Sequence, residues 1–224
     1  MPDRKVQSVL PVTLLGAADV SAAMVNDALH IAPYLIAADG GANMAISIGL
    51  LPEMVIGDLD SIHADVMAKI PAARLWQITE QETTDFEKCL SRIEAPFILS
   101  LGFSGARMDH MLAVWAALLQ YPEKRCLILG AKDVAFVAPN RVLTLDLAPG
   151  TRVSLFPLAP VEGLSTGLVW PIGGLKFAPD GRIGTSNEAT GPVTLEFDRT
   201  RMLVILPRDC LGAAIAALAP GDQG

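Results

Sequence analysis

The sequence predicts an α/β protein in two parts: a parallel-sheet, three-layer α/β domain over residues 1–135, followed by a small C-terminal all-β sandwich over residues 136–224. Three observations carry the prediction. Short apolar runs alternate with helix-period patterns through the first 130 residues, as a parallel sheet with crossover helices requires. From about Asp133 the texture changes to short alternating strands parted by Gly, Pro and Asn turns. The 224 residues are 51% hydrophobic, enough for one large core or two small ones, and the change of texture favours two.

In chain order, strands are expected at SVLPVTLL, YLIAA, MVIG, RLWQI, FILSLG and RCLILG. Helices are expected between them at SAAMVNDALHIA, ANMAISIGL, IHADVMAKI, TDFEKCLSRI and MDHMLAVWAALLQ. The polar clusters ADGGAN, GDLDS, GFSGARMDH and GAKD each follow a strand, so they gather at the sheet edge where open α/β folds bind ligands. In the second part, strands are expected at VAFVA, RVLTLDL, RVSLFPL, PVTLEF and RMLVILP, and the tail CLGAAIAALAPGDQG forms a short helix before fraying.

Charge and cysteines narrow the function. A formal net charge of −7 with one short basic cluster argues against a nucleic-acid partner, whereas a phosphorylated small molecule fits if a metal brings the positive charge. Cys89, Cys126 and Cys210 are odd in number, widely spaced and set in apolar surroundings, which reads as reduced thiols in a cytoplasmic protein. No apolar run approaches membrane-spanning length.

Four polar stretches are candidates for chemistry. In VIGDLDS, Asp58 and Asp60 stand at i and i+2, so an extended backbone points both the same way. Two such carboxylates hold a Mg2+ ion, or else Asp58 bonds the turn and Asp60 or Ser61 caps the next helix. In TTDFEKCL, Asp85 with Lys88 one turn later pairs a carboxylate with a cation, as phosphoryl-transfer sites do; ordinary helix-dipole compensation is the alternative. In ADGGAN, Asp39 ends a strand and Gly40 and Gly41 allow close approach to phosphate or simply make a tight turn. In GFSGARMDH, Arg107, Asp109 and His110 are either phosphate ligands or a solvated helix start. His30 and His63 read as surface or packing residues, Trp170 as a stacking platform or a core tryptophan, and Ser-Asn-Glu at 186–188 as ordinary turn composition.

Taken in order, DGGAN at 39–43, P-x-x-V-I-G-D-L-D-S ending at Ser61, TDFEK at 84–88, RMDH at 107–110, GLVW at 167–170 and TSNE at 185–188 resemble the thiamine pyrophosphokinase family across nearly the whole chain. That resemblance implies Mg2+-dependent transfer of diphosphate from ATP to thiamine, with release of AMP. It implies metal-holding carboxylates at Asp58, Asp60 and Asp85, with Asp39 and Asp109 adding to the acidic cleft. Gly40, Gly41, Asn43, Lys88, Arg107, Asp109 and His110 would face ATP, and Gln81, Trp170, Ser186 and Asn187 would contact thiamine. A homodimer with thiamine at the subunit interface is also implied.

Met44, Ala106 and Val114 depart from the family pattern, where Arg, Gly and Asn are frequent. Two other readings remain. A haloacid-dehalogenase-type phosphatase also ends an apolar strand in D-x-D, though on its first strand and with Thr or Val where this chain has Ser61. A non-catalytic sensor of thiamine or nucleotide would lack a metal carboxylate, and Asp58, Asp60 and Asp85 are all present.

Overall fold

Runs of apolar residues with no polar alternation become strands buried on both faces. The computed structural model describes residues 5–105 and 107–219, and the chain divides between Ile128 and Leu129 into two compact units. Ala106 and the end of the tail from residue 220 lie outside the described residues. The fold is α/β, and its strand pairing is mixed: parallel in the first unit, antiparallel in the second.

The first unit runs β1 Val6–Gln7, β2 Val12–Leu15, α1 Ala22–Ile31, β3 Tyr34–Ala38, α2 Gly41–Ser47, β4 Met54–Gly57, α3 Ala64–Met67, β5 Leu75–Gln77, α4 Asp85–Leu90, β6 Ile93–Glu94, β7 Ile98–Leu101, α5 Met108–Gln120 and β8 Cys126–Leu129. Its main parallel sheet has the order β8-β7-β2-β3-β4-β5, and β1 pairs separately with β6. All four residues of β2, β7 and β8 are buried. Each fully buried Leu or Ile there contributes roughly 1.5–3 kcal/mol.

Several boundaries differ from the sequence reading for identifiable reasons. The strand expected from Ser8 starts only at Val12, because Pro11 ahead of it has no N–H to give a ladder. Thr13, fully buried, is satisfied by donating its hydroxyl to the Ala32 carbonyl at 2.6 Å. Helix α2 stops at Ser47, and Gly49 follows at φ 79°, a left-handed helix stop. Helix α4 stops at Leu90 because Ile93 is drawn into pairing with Val6.

The second unit runs β9 Asp133–Val137, β10 Leu143–Leu145, β11 Arg152–Pro157, β12 Val161–Leu168, β13 Lys176–Phe177, β14 Gly184–Phe197, β15 Met202–Pro207 and α6 Leu211–Leu218. Its strands order as β13-β12-β14-β11-β15-β9, with β10 also on β14. Strand β12 is absent from the sequence reading because GLSTG carries little apolar alternation; it is held by the long partner β14. Ser186-Asn187-Glu188 is correspondingly not a turn but the opening of β14, where the register against β11 shifts between Val153 and Leu155. Arg141 ends α6 by donating to the carbonyls of Ala217 and Ala219 at 2.9 and 2.8 Å.

Gly41 shows how tightly α2 is set against β2: a Cβ there would lie 2.1 Å from the Leu15 carbonyl oxygen. Gly41→Ala is expected to lower stability by about 1–3 kcal/mol, read as a fall in the thermal or urea midpoint. An unchanged midpoint would remove the packing role.

Candidate active site

The order of the parallel sheet creates a crevice. The chain proceeds outward from β2 through β3, β4 and β5, then returns to place β7 on the other side of β2. Connections after β2 and β7 therefore diverge, which is where open α/β sheets bind ligands. A cavity of about 320 Å³ opens there, lined by Gly16, Asp39, Asp85, Phe103, Arg107 and His110 among others. The two strand ends approach closely at its floor. A Cβ on Gly16 would sit 2.5 Å from the Gly102 oxygen, and one on Gly102 2.6 Å from the Gly16 oxygen.

At the β3 and β4 ends, Asp39, Asp58 and Asp60 each bring a carboxylate oxygen within 4.8 Å of the others. The route differs from straight strand alternation, since β4 ends at Gly57 and Leu59 turns the chain at φ 68°. Asp39, itself at φ 42°, is 3% exposed, and its Oδ1 has no hydrogen-bond partner. Asp58 accepts the Gln81 side-chain amide at 3.1 Å and the Asp60 N–H at 3.3 Å. The Gln81 bond is the main influence holding the Asp58 carboxyl below its usual range. A buried carboxylate oxygen without a donor, beside two more carboxylates, is a donor set suited to a hard divalent cation such as Mg2+.

Asp85 and Lys88 lie beside this triad. Thr84 caps α4 through its Oγ1, which accepts the Glu87 N–H at 3.3 Å, so the first turn points Asp85 at the cavity. Burial raises the Asp85 carboxyl above its usual range, and Asp39 adds to the rise. The Lys88 side chain is 2% exposed, with Nζ 3.4 Å from Asp85 and 3.9 Å from Asp58. It sits beneath the carboxylates, buried rather than presented to the cavity.

Other expected contacts have other partners. The Asn43 amide donates to the Ser61 carbonyl at 2.8 Å and accepts the His63 N–H at 3.0 Å. Gly40 lines the cavity, whereas Gly41 packs on β2. Arg107 and Asp109 are two-thirds exposed and pair with each other at 2.6 Å. His110 and the buried Val114 line the cavity wall. The sequence reading misses Gly16, Ala17, Ala18 and Phe86 as lining residues. For Gly16, Ala17 and Ala18 the one signal is the strand end LLGAA, a glycine followed by residues small enough to leave space, whereas Phe86 lies inside the TDFEK motif between Asp85 and Glu87.

In the second unit, Trp170, Ser186 and Asn187 do come together. Asn187 is buried, and its amide clasps the Trp170 backbone, accepting the N–H at 3.2 Å and donating to the carbonyl at 2.7 Å. Trp170 is left 60% exposed, a platform rather than a core residue. Ser186, at φ 61°, donates its N–H to the Ser154 hydroxyl at 3.0 Å.

A model of the thiamin pyrophosphokinase catalytic domain matches residues 25–129, and a model of the thiamin pyrophosphokinase vitamin B1 binding domain matches residues 141–202. The chain belongs to the thiamin pyrophosphokinase family. It is 26% identical to thiamine pyrophosphokinase 1 of Arabidopsis thaliana over 68% of this chain and 69% of that protein. It is likewise 26% identical to thiamin pyrophosphokinase 1 of Caenorhabditis elegans over 71% of this chain and 72% of that protein. The fold superposes on thiamin pyrophosphokinase from Candida albicans with a TM-score of 0.74 at 16% identity, covering 88% of this chain and 89% of the other. On the yeast enzyme the TM-score is 0.73 at 18% identity, covering 93% of both.

Within this member of the thiamin pyrophosphokinase family, the Arg107–Asp109 pair makes a direct prediction. The guanidinium hydrogen bond holds the Asp109 carboxyl down to about 2. A depressed acid favours the folded state at pH above its unfolded value, and that contribution is lost as pH falls through the folded one. NMR titration should therefore give an Asp109 midpoint near 2, returning towards 3.8 in Arg107→Gln. A midpoint near 3.8 in both proteins would mean that the pair does not persist in solution.

Proposed function

We propose that this chain transfers the diphosphate of ATP to the hydroxyethyl oxygen of thiamine, giving thiamine diphosphate and AMP. The observation that carries the reading is the Asp39, Asp58 and Asp60 cluster with its unpartnered Asp39 oxygen, in which Asp39 lines the switch-point cavity of a thiamin pyrophosphokinase family member.

Asp39, Asp58 and Asp60 would hold Mg2+, with Asp85 alongside. Bound there, the ion supplies the positive charge that an acidic protein lacks towards a triphosphate. The residues themselves have distinct tasks. Gly40 and Arg107 line the cavity and face the phosphates, with His110 beside them. Attack at the β-phosphorus requires the thiamine hydroxyl to lose its proton, and an Asp85 carboxylate oxygen is the acceptor we assign. Its raised pKa makes it a better base than an ordinary aspartate. Lys88 steadies the Asp58 and Asp85 charges from below. Phe86 and Phe103, packed edge to face at 4.8 Å, keep one side of the cavity apolar and limit water.

The first unit is then the three-layer nucleotide-binding catalytic domain. The second is a thiamine-binding β-sandwich in which Trp170 stacks on the heterocycle and Ser186 and Asn187 shape its surroundings. A homodimer with thiamine at the subunit interface completes the reading. No described helix is long and apolar enough to cross a membrane. Three free cysteines, two of them buried, fit a reducing compartment, and we assign the protein to the cytoplasm.

Incubation with ATP, Mg2+ and thiamine should yield AMP and thiamine diphosphate in equal amounts, and only when thiamine is present. EDTA in excess should abolish turnover, and Asp58→Asn should lower it by about two orders of magnitude or more. Phosphate released without thiamine would instead indicate a phosphatase.

Trp170→Ala should raise the KM for thiamine about tenfold while leaving that for ATP near its wild-type value. A larger effect on ATP would move Trp170 to the nucleotide.

A further inference from the structure

The near side of the Asp58 to Asp60 turn is tied down by Gln77, whose amide donates to the Asp58 carbonyl at 2.9 Å, by Gln81 on the Asp58 carboxylate at 3.1 Å, and by Leu59 packing on the core; the chain beyond Asp60 needs a tie of its own. Leu59 lies in the left-handed region, which non-glycine residues enter at a cost. The bonds within the turn are short-range, Asp60 N–H to Asp58 at 3.3 Å and Ser61 hydroxyl to Asp60 at 2.9 Å. Asn43 supplies a long-range tie. Its Nδ2 donates to the Ser61 carbonyl at 2.8 Å and its Oδ1 accepts the His63 N–H at 3.0 Å, across separations of 18 and 20 residues. Donor and acceptor together fix which way the amide faces and engage both of its functional groups with the loop.

Asn43 is also anchored at its own end. It stands two residues after Gly41, where a Cβ would lie 2.1 Å from the Leu15 carbonyl oxygen, so the start of α2 is packed directly on β2. Gly40, in the same turn, lies close enough to the loop that a Cβ there would be 3.2 Å from the Ser61 Cβ. Asn43 is not among the residues lining the cavity.

We propose that Asn43 is a positioning residue for the carboxylate cluster: its amide braces the loop so that Asp58 and Asp60 meet Asp39, and it does not contact nucleotide. This rests on the reading of that cluster as a divalent-cation site. Groups that orient metal ligands typically change metal affinity or activity by about 10–100-fold when removed. A phosphate contact, by contrast, would weaken nucleotide binding with or without metal.

Two variants test this. Asn43→Ala deletes both bonds. His63→Pro deletes the N–H that Asn43 accepts, together with an exposed imidazole, at a residue whose φ of −63° already suits proline, and leaves the Asn43 side chain in place. Each is measured for Mn2+ affinity without nucleotide by electron paramagnetic resonance, and for ATP affinity in EDTA by calorimetry. Asn43→Ala should weaken Mn2+ binding about tenfold or more and His63→Pro by a smaller factor, with ATP binding in EDTA unchanged for both. Weakened ATP binding in Asn43→Ala with wild-type Mn2+ affinity would overturn the proposal in favour of a nucleotide contact. Wild-type affinity for both probes in both variants would overturn it as well. Failure of the unmodified protein to bind Mn2+, or binding unaffected by Asp58→Asn, would instead sink the metal-site reading on which the proposal stands.

Discussion

Mutual repulsion among carboxylates is the constraint around which the first unit is arranged. Three aspartates converge to within 4.8 Å, and Asp85 adds a fourth carboxylate whose pKa is raised first by burial and then by the charges of Asp39 and Asp58. At about 4 Å and an effective dielectric of 20, one pair of like charges costs roughly 4 kcal/mol. The chain offsets part of this with Lys88, whose ammonium is buried below the cluster against Asp58 and Asp85. Burying a lysine is itself unfavourable unless paired, so cation and carboxylates stabilise one another. The remaining imbalance lies with Asp39, the most buried of the three, whose Oδ1 has no hydrogen-bond donor.

The alternation of strands and helices is legible in the sequence because a doubly covered parallel strand must be apolar throughout, as YLIAA and MVIG are. The switch-point crevice is legible for a related reason: polar clusters directly after strands have to meet at one sheet edge. Less is legible where a polar side chain has two plausible partners. The family resemblance implies ligand contacts at Asn43, Gln81 and Asn187, and in the structure their amides bond respectively to a loop backbone, to Asp58 and to the Trp170 backbone. Composition cannot distinguish an amide that meets a ligand from one that holds the segment beside it. Lys88 is a similar case, since i, i+3 spacing from Asp85 establishes the pair but leaves its depth undetermined. In the second unit, β12 and the start of β14 escape notice because cross-strand pairing, a non-local property, makes strands of Gly, Ser, Thr and Asn.

Backbone strain follows the same distribution. Among the described residues, Asp39, Leu59 and Ser186 are the non-glycine positions with positive φ. One is a member of the carboxylate cluster, one separates two of its members, and one precedes the amide that holds Trp170. Asp tolerates this region well, because its short polar side chain bonds locally, but Leu does not and costs roughly 1–2 kcal/mol there. Leu59 compensates by packing its side chain against the core of Ala37, Ala42, Val55, Ile62, Val66 and Ile70. Glycine at 59 would relieve the strain but give up that packing and leave the turn free to reorganise. The turn that brings Asp58 and Asp60 together is therefore held along its whole length. Apolar burial fixes Leu59, the Gln77 amide holds the Asp58 carbonyl at 2.9 Å, and the Asn43 amide bonds the chain beyond Asp60, so the acidic pair is positioned by the protein's own contacts.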